Sequence, residues 1–177
     1  RELAKSVGVP NLDLLNFNPY GASAAEVQSV FVETTSHQLA NVIFGLAEAT
    51  KVSGLSSAQS KQAVIDSVAT LLKKKIDTGQ TIDLSSDEDL QSISQNILES
   101  TELSTANKAE LGSTLDTALQ AVKNVNAVVK EVSDLNSEAA KSVFSLNEVL
   151  VSQIADNVSK NADVKLTDAS YVTELVQ

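Results

Sequence analysis

The sequence has no cysteine, no methionine and no tryptophan, and only two prolines. Without thiols there can be no disulfide, no thiolate nucleophile and no cysteine-ligated zinc or iron–sulfur centre. Without methionine the chain does not read as one written from its own start codon, and the expectation is a processed product or an excerpt of something longer. Aromatic residues make up 3% of the chain and apolar residues 42%, so a core has to be assembled from Val, Leu, Ile and Ala. Positive charge is scarce as well: 13 Lys and Arg stand against 23 Asp and Glu, a net charge of -10. That balance repels phosphate backbones and anionic lipid, which argues against nucleic acid as a partner. No uninterrupted apolar run approaches the roughly 18 residues of a membrane-spanning helix, so no transmembrane segment is expected. No signal peptide is visible either.

What is there reads as amphipathic helix, repeatedly started by serine. The 177 residues suit one domain with a single core. Arg1-Glu2-Leu3-Ala4-Lys5 reads as the last turns of a helix, broken by Gly8-Val9-Pro10. LDLLNFNPYGAS, residues 12 to 23, follows as an irregular lead-in, where Asn18-Pro19 disfavours helix and Tyr20-Gly21 completes a turn. Leu14, Leu15 and Phe17 are expected to plug the open end of a bundle. Ser23 and Glu26 form a capping box for a first long helix running to about Ser53. Its apolar line is Val27, Phe31, Leu39, Val42, Ile43 and Leu46, and Gly54 stops it.

Ser56 and Gln59 open a second helix, on which Val64, Ile65, Val68, Leu71, Leu72 and Ile76 share a face. Lys73-Lys74-Lys75 sit in its last turn before Gly79, where lysines complement the helix dipole. Thr81-Ile82-Asp83-Leu84 is a short extended connector. Ser85 and Glu88 then cap a third helix with Leu90, Ile93 and Ile97 inward. On the fourth, Leu111, Leu115, Ala118, Val122, Val125, Val129 and Val132 step alternately by four and three, a heptad stripe. Such a stripe could join two chains, which makes Leu111, Leu115, Val122, Val125, Val129 and Val132 interface candidates. Helices of similar length on both sides favour a bundle within one chain. A fifth helix carries Val143, Leu150, Val151, Ile154 and Val158, and Thr167 is expected to cap a last short segment with Tyr171, Leu175 and Val176 available for docking.

The sum is an all-α fold: a bundle of about five amphipathic helices with short connectors and an irregular N-terminal loop. Residues 1–22 form the end of a preceding helix and the lead-in, 23–163 the bundle, and 164–177 a C-terminal segment leading to a neighbouring module.

Chemistry has few places to reside. His37 is the sole histidine, aligned with Glu33 and Asn41 four residues to either side. The carboxylate could orient it as a base, but a solvated histidine on a helix flank is the plainer reading. A metal held by Glu33 and His37 would need further ligands that the sequence does not supply nearby. The densest acidic cluster is Asp83, Asp87, Glu88 and Asp89. Calcium takes six to eight oxygens and the EF-hand pattern is absent, whereas acids in a first helical turn are expected from the dipole alone. Asn11, Asp13, Asn16 and Asn18 alternate oxygens in a similar way, but Asx turns use the same residues. Asn11, Asp13, Asp83, Asp87 and Asp89 are therefore only weak calcium candidates, and no cofactor is expected. No phosphate-binding glycine loop, nucleophile elbow or HExxH motif appears, and no serine is accompanied by a base and an orienting group. Catalysis is not supported.

The words themselves carry a resemblance. Val7-Gly8-Val9-Pro10-Asn11-Leu12-Asp13-Leu14-Leu15-Asn16-Phe17-Asn18-Pro19-Tyr20 resembles the LGLP-x-DLL-x-FDP opening of helical domains in very large bacterial surface proteins. Those domains stand beside cadherin-like, RTX-type or dockerin-like calcium-binding modules. Ala63-Val64-Ile65-Asp66 through Thr81-Ile82-Asp83-Leu84-Ser85 resembles their helix, T-x-D-L-S, helix segment, and Leu119 to Asn126 resembles their later AAVAAVNA helix. The similarity runs in order over about residues 3 to 135. It implies a non-enzymatic structural or adhesive module of an extracellular bacterial surface or matrix protein, with neighbouring domains of the same long chain as partners and self-assembly as a further role. Calcium in such proteins usually belongs to the neighbouring modules. This chain has neither their glycine-aspartate nonapeptide nor an EF-hand loop, so no calcium ligand carries over. A specific protein- or glycan-binding helical module is the alternative. A membrane-active toxin domain would need one helix apolar all round, and these read as amphipathic.

Overall fold

The computed structural model describes residues 2–9, 12–13, 16–20, 27–101 and 104–177. Its helices are α1 (Glu2–Ser6), α2 (Val27–Thr50), α3 (Ser57–Thr78), α4 (Asp87–Ser100), α5 (Thr105–Lys130), α6 (Glu138–Lys160) and α7 (Ala169–Glu174). Tight 3-10 turns at Lys51–Ser53 and Lys165–Thr167 complete the order, and there is no strand among the described residues. The all-α fold and its five long helices agree with the sequence. Leu14, Leu15, Asn11 and the Ser23–Glu26 cap lie outside the described residues, and Phe17 is half-buried.

Serine starts four of the long helices by the same device, a hydroxyl that accepts a hydrogen bond from a free backbone N–H of the first turn. Ser56, Ser86, Ser104 and Ser137 accept from Gln59 N, Asp89 N, Asn107 N and Ala140 N. At Ser56 the box closes in both directions, with Gln59 Oε1 accepting from Ser56 N at 3.0 Å. Two caps fall one residue later than expected, each because the nearer hydroxyl is engaged elsewhere. Ser85 donates its Oγ–H to Asp83 Oδ1 at 2.6 Å, so Ser86 caps α4. Thr167 donates back to Val164 O at 2.8 Å, so Asp168 caps α7. Gly54 and Gly79 end their helices with φ of 82° and 67°, as the sequence suggests.

The bundle is organised around α2 and α5. Helix α2 packs against α3, α5 and α6, while α5 also meets α4, α6, α7 and both 3-10 turns. The stripe Leu111, Leu115, Ala118, Val122, Val125 and Val129 is buried, facing the chain's own core. Val132 lies just past the end of α5 and packs against that core from its edge. Two expected core faces are narrower than the spacing implied. Val27 is 83% and Phe31 37% exposed, and the buried part of α2 begins in earnest at Gln38. Ile65 is also outward, because α3 sits at the side of the bundle and buries only the Val64, Val68 and Leu71 line.

Beyond the aliphatic core runs a buried amide network. Asn126 on α5 is fully buried; its Nδ2 donates to Leu84 O at 2.7 Å and Gln38 O at 3.3 Å. Its Oδ1 accepts from Asn41 Nδ2 at 2.9 Å, and its backbone carbonyl accepts from Gln38 Nε2 at 2.9 Å. Asn41 in turn accepts from Asn147 Nδ2 on α6 at 2.7 Å. Asn124, nearby on α5, donates to Leu166 O and Thr167 O at 3.0 and 2.9 Å. The chain after residue 163 therefore shows no break in packing: Val164, Leu166 and Val172 belong to the same core as α2 and α5. At the other end, Ser6 O accepts from Ile82 N at 2.8 Å, holding α1 to the connector before α4.

Gly45 is the point of closest approach. A Cβ placed there would lie 3.0 Å from Val122 Cγ2, 3.3 Å from Ile154 Cδ1 and 3.4 Å from Leu150 Cδ2. Gly45→Ala is expected to cost about 1–3 kcal/mol by overpacking, against a helix-propensity gain of roughly 1 kcal/mol. Gly112 on α5 would meet nothing within 4 Å, so Gly112→Ala should instead stabilise by about 0.5–1 kcal/mol. Urea midpoints of the two variants check this; a gain at both positions would mean that α2 and α5 have room to spare.

Candidate functional site

The acidic cluster is drawn apart by three lysines on two other helices. Asp83 Oδ2 lies 2.9 Å from Lys130 Nζ and Asp87 Oδ2 2.8 Å from Lys123 Nζ, both on α5. Asp89 turns the other way and meets Lys75 Nζ of α3 at 2.6 Å, with its carboxylate only 2% exposed. The second oxygen of Asp89 accepts from Asp83 N at 2.7 Å. Lys75, read from sequence as a dipole-complementing lysine of a helix end, thus becomes half of a buried ion pair. Partial burial pushes the Asp83 carboxyl up, but the Ser85 hydroxyl and amide together with Lys130 outweigh it and hold the group below its usual range. Asp13, the other described calcium candidate, accepts from Asn16 Nδ2 at 2.7 Å. Among the described residues no three His, Asp or Glu side chains are arranged to hold a metal ion.

His37 is less solvated than its flank position suggested. Its ring stacks on Phe144 of α6 with centroids 3.8 Å apart and planes 1° from parallel. Its Nε2 lies 3.2 Å from Glu33 Oε1, the i,i+4 neighbour. The same carboxylate oxygen accepts from the Tyr20 hydroxyl at 2.8 Å. Burial first, then the hydrogen bond and charge of Glu33, push the Tyr20 phenol up to about 12. Tyr20 is held locally by an Asx turn, its N–H donating to Asn18 Oδ1 at 3.0 Å. Asn41, the other expected neighbour of His37, points into the core and belongs to the amide network.

Two of the surface depressions among the described residues stand out. A groove of about 520 Å³ has Gly8, Phe31, Gln38, Ile82, Lys130 and Val132 among its walls. A more open and more polar cleft of about 620 Å³ is lined by Asn157, Asp163, Lys165, Thr167, Asp168 and Tyr171. There Lys165 Nζ stands 5.9 Å from the centre of the Tyr171 ring.

Tyr20 and Lys75 are the residues that sequence reasoning missed. Each partner lies more than a helix turn away along the chain, and no periodicity signals either pairing. Comparison of the chain with models of protein families, with curated proteins and with solved structures finds no match.

Breaking the buried pair should matter far more than breaking an exposed one. Asp89→Asn is expected to cost about 3 kcal/mol, because it leaves Lys75 without its counter-charge in a largely buried position. Asp87→Asn, at a carboxylate 65% exposed, should cost less than about 1 kcal/mol. Denaturant unfolding of both variants measures the difference, and equal losses would contradict it. The Asp83 pair carries a pH signature. Because its folded value is depressed, its contribution is present above the unfolded value of about 3.9 and fades as the pH falls through the lower folded one. Lys130→Met should therefore lower stability by under about 1 kcal/mol at neutral pH, and this difference from the parent should disappear in acid.

Proposed function

We propose that this chain is a non-enzymatic structural module of a large extracellular bacterial surface or matrix protein, acting as a spacer or assembly contact between neighbouring domains. The observation that supports it best is where the charges go. Asp83, Asp87 and Asp89, the densest concentration of potential ligands or catalytic acids, each join α4 or its lead-in to another helix. With Asn126 and Asn41 also engaged in joining helices, the polar side chains serve to hold one arrangement of the bundle. That is the behaviour wanted of a spacer. The order of motifs that resembles helical domains of giant surface proteins supports the extracellular setting, in which calcium would belong to the modules beside this one.

A second reading is a helical module that binds a protein or glycan. The cleft beside Tyr171 favours it, since it offers an aromatic ring next to Asn157, Asp163 and Asp168. A membrane-active role has less support, as no helix of the described residues is long and apolar enough to cross a membrane.

Light scattering on residues 1–177, with and without millimolar calcium, tests the leading reading. A monomer whose mass and melting temperature are unchanged by calcium is the expected result for a spacer. Assembly that requires calcium would sink it and return attention to the acidic cluster.

A further inference from the structure

Three potential ligand atoms of different chemistry come together at Glu33, on the flank of α2 beside α6. The phenol oxygen of Tyr20 and the imidazole Nε2 of His37 both approach Glu33 Oε1, at 2.8 and 3.2 Å. We propose that Tyr20, Glu33 and His37 form a binding site for a divalent transition-metal ion, with Cu(II) the preferred occupant.

The geometry carries most of the argument. First-row ions bind imidazole nitrogen and carboxylate oxygen at about 2.0–2.2 Å. Neighbouring donors around such an ion lie roughly 2.8–3.4 Å apart, from right-angled to tetrahedral arrangements, given those bond lengths. Both edges in the protein already fall within that span, so an ion can take the place of the Tyr20 hydroxyl proton beside Glu33 with His37 Nε2 close at hand. The i,i+4 spacing puts Glu33 and His37 on one helix face, and Tyr20 adds the third donor from a separate segment.

The ligands are also held. Stacking on Phe144, with the planes 1° apart, fixes the plane of the His37 ring, and a metal site gains affinity when its ligands are oriented beforehand. The side chains of His37 and Glu33 are 28% and 17% exposed, which leaves a side open for water to complete the coordination shell. The donor set selects the ion. Nitrogen and oxygen without sulfur suit Cu(II), which heads the affinity order for divalent ions at such sites. Calcium fits poorly, since it takes six to eight oxygens.

Binding needs no change of oxidation state. The Tyr20 O–H bond breaks, its proton passes to solvent and the phenolate oxygen bonds to the metal. His37 bonds to the ion through the Nε2 lone pair; a proton carried on Nε2 opposite Glu33 is released to solvent as the bond forms, and the ring keeps its proton, or takes one from solvent, on Nδ1. The Glu33 charge that favours the protonated phenol in the free protein is offset once a dication sits between them. The proposal does not rest on the spacer reading: the core is closed without the ion, and the ion would fasten the Tyr20 turn onto α2.

The test is titration of Cu(II) into the full 177-residue chain at neutral pH, followed by visible absorption and electron paramagnetic resonance. One equivalent should bind with nitrogen and oxygen ligation and a tyrosinate-to-copper charge-transfer band. Tyr20→Phe, at an exposed position, should abolish the band and weaken binding at least about tenfold. His37→Gln should weaken it further, and Phe144→Leu should weaken it while leaving the band in place. Circular dichroism confirms that each variant is folded; should His37→Gln fail to fold, Tyr20→Phe alone decides. Absence of the band, or copper bound as tightly by Tyr20→Phe as by the parent, overturns the proposal, the latter placing the ion elsewhere on the chain.

Discussion

Everything else in the bundle depends on how closely α2 can lie against α5 and α6. A core with few aromatics has only short side chains with which to fill the space between helices, so the helices must approach one another. Gly45 makes that possible, with Val122, Ile154 and Leu150 packed against the spot where a side chain would begin. Burial of apolar area is worth about 25 cal/mol per Å², and Val and Ala offer less area than Phe or Trp. Tight packing recovers through dispersion some of what small residues give up in area.

Close packing of aliphatic residues does not by itself choose one alignment of helices. Hydrogen bonds do, because they have direction and fail when displaced. Asn126 has partners on α2 and in the connector before α4, and Asn41 extends the chain of bonds to α6. A buried amide without partners costs roughly 1–3 kcal/mol, so a bundle slid by a turn would leave several such groups stranded. Three lysine–aspartate pairs, one of them buried, act in the same sense, tying α4 and its lead-in to α3 and α5. Their weights differ, because only Asp89 is sheltered from water.

Local signals in the sequence were the legible ones. Serine caps and glycine stops place both ends of α3 and the start of α4 to within a residue, and the heptad stripe marks α5, since each depends on contacts made inside one or two turns. The small misplacements at Ser86 and Asp168 arose where the nearer hydroxyl, of Ser85 or Thr167, is engaged with Asp83 Oδ1 or Val164 O instead. Signals that depend on the surroundings were not legible. Val27 and Phe31 have the spacing of a core face but lie toward the start of α2, away from the buried core that begins in earnest at Gln38, and Ile65 is turned outward on α3. The candidate site was half visible: Glu33 and His37 follow from helical spacing, whereas Tyr20 reaches them across a turn and Phe144 from another helix. Lys75 and Asp89 likewise meet only after the chain has reversed at Gly79.

The amide network also divides the interior by how freely its residues can be exchanged. Aliphatic positions away from Gly45, such as Val64, Ile97 and Leu115, tolerate substitution among themselves as long as total volume is kept. Asn126 has no such latitude: Asp carries a charge and loses the donor pair, Gln is longer by a methylene, and Leu offers no polar atom at all. Over long divergence, then, the aliphatic positions of this fold are free to drift, while a few asparagines on α2, α5 and α6 are held in place. An ancestry shared through this architecture would be recorded less in its hydrophobic residues than in its buried amides.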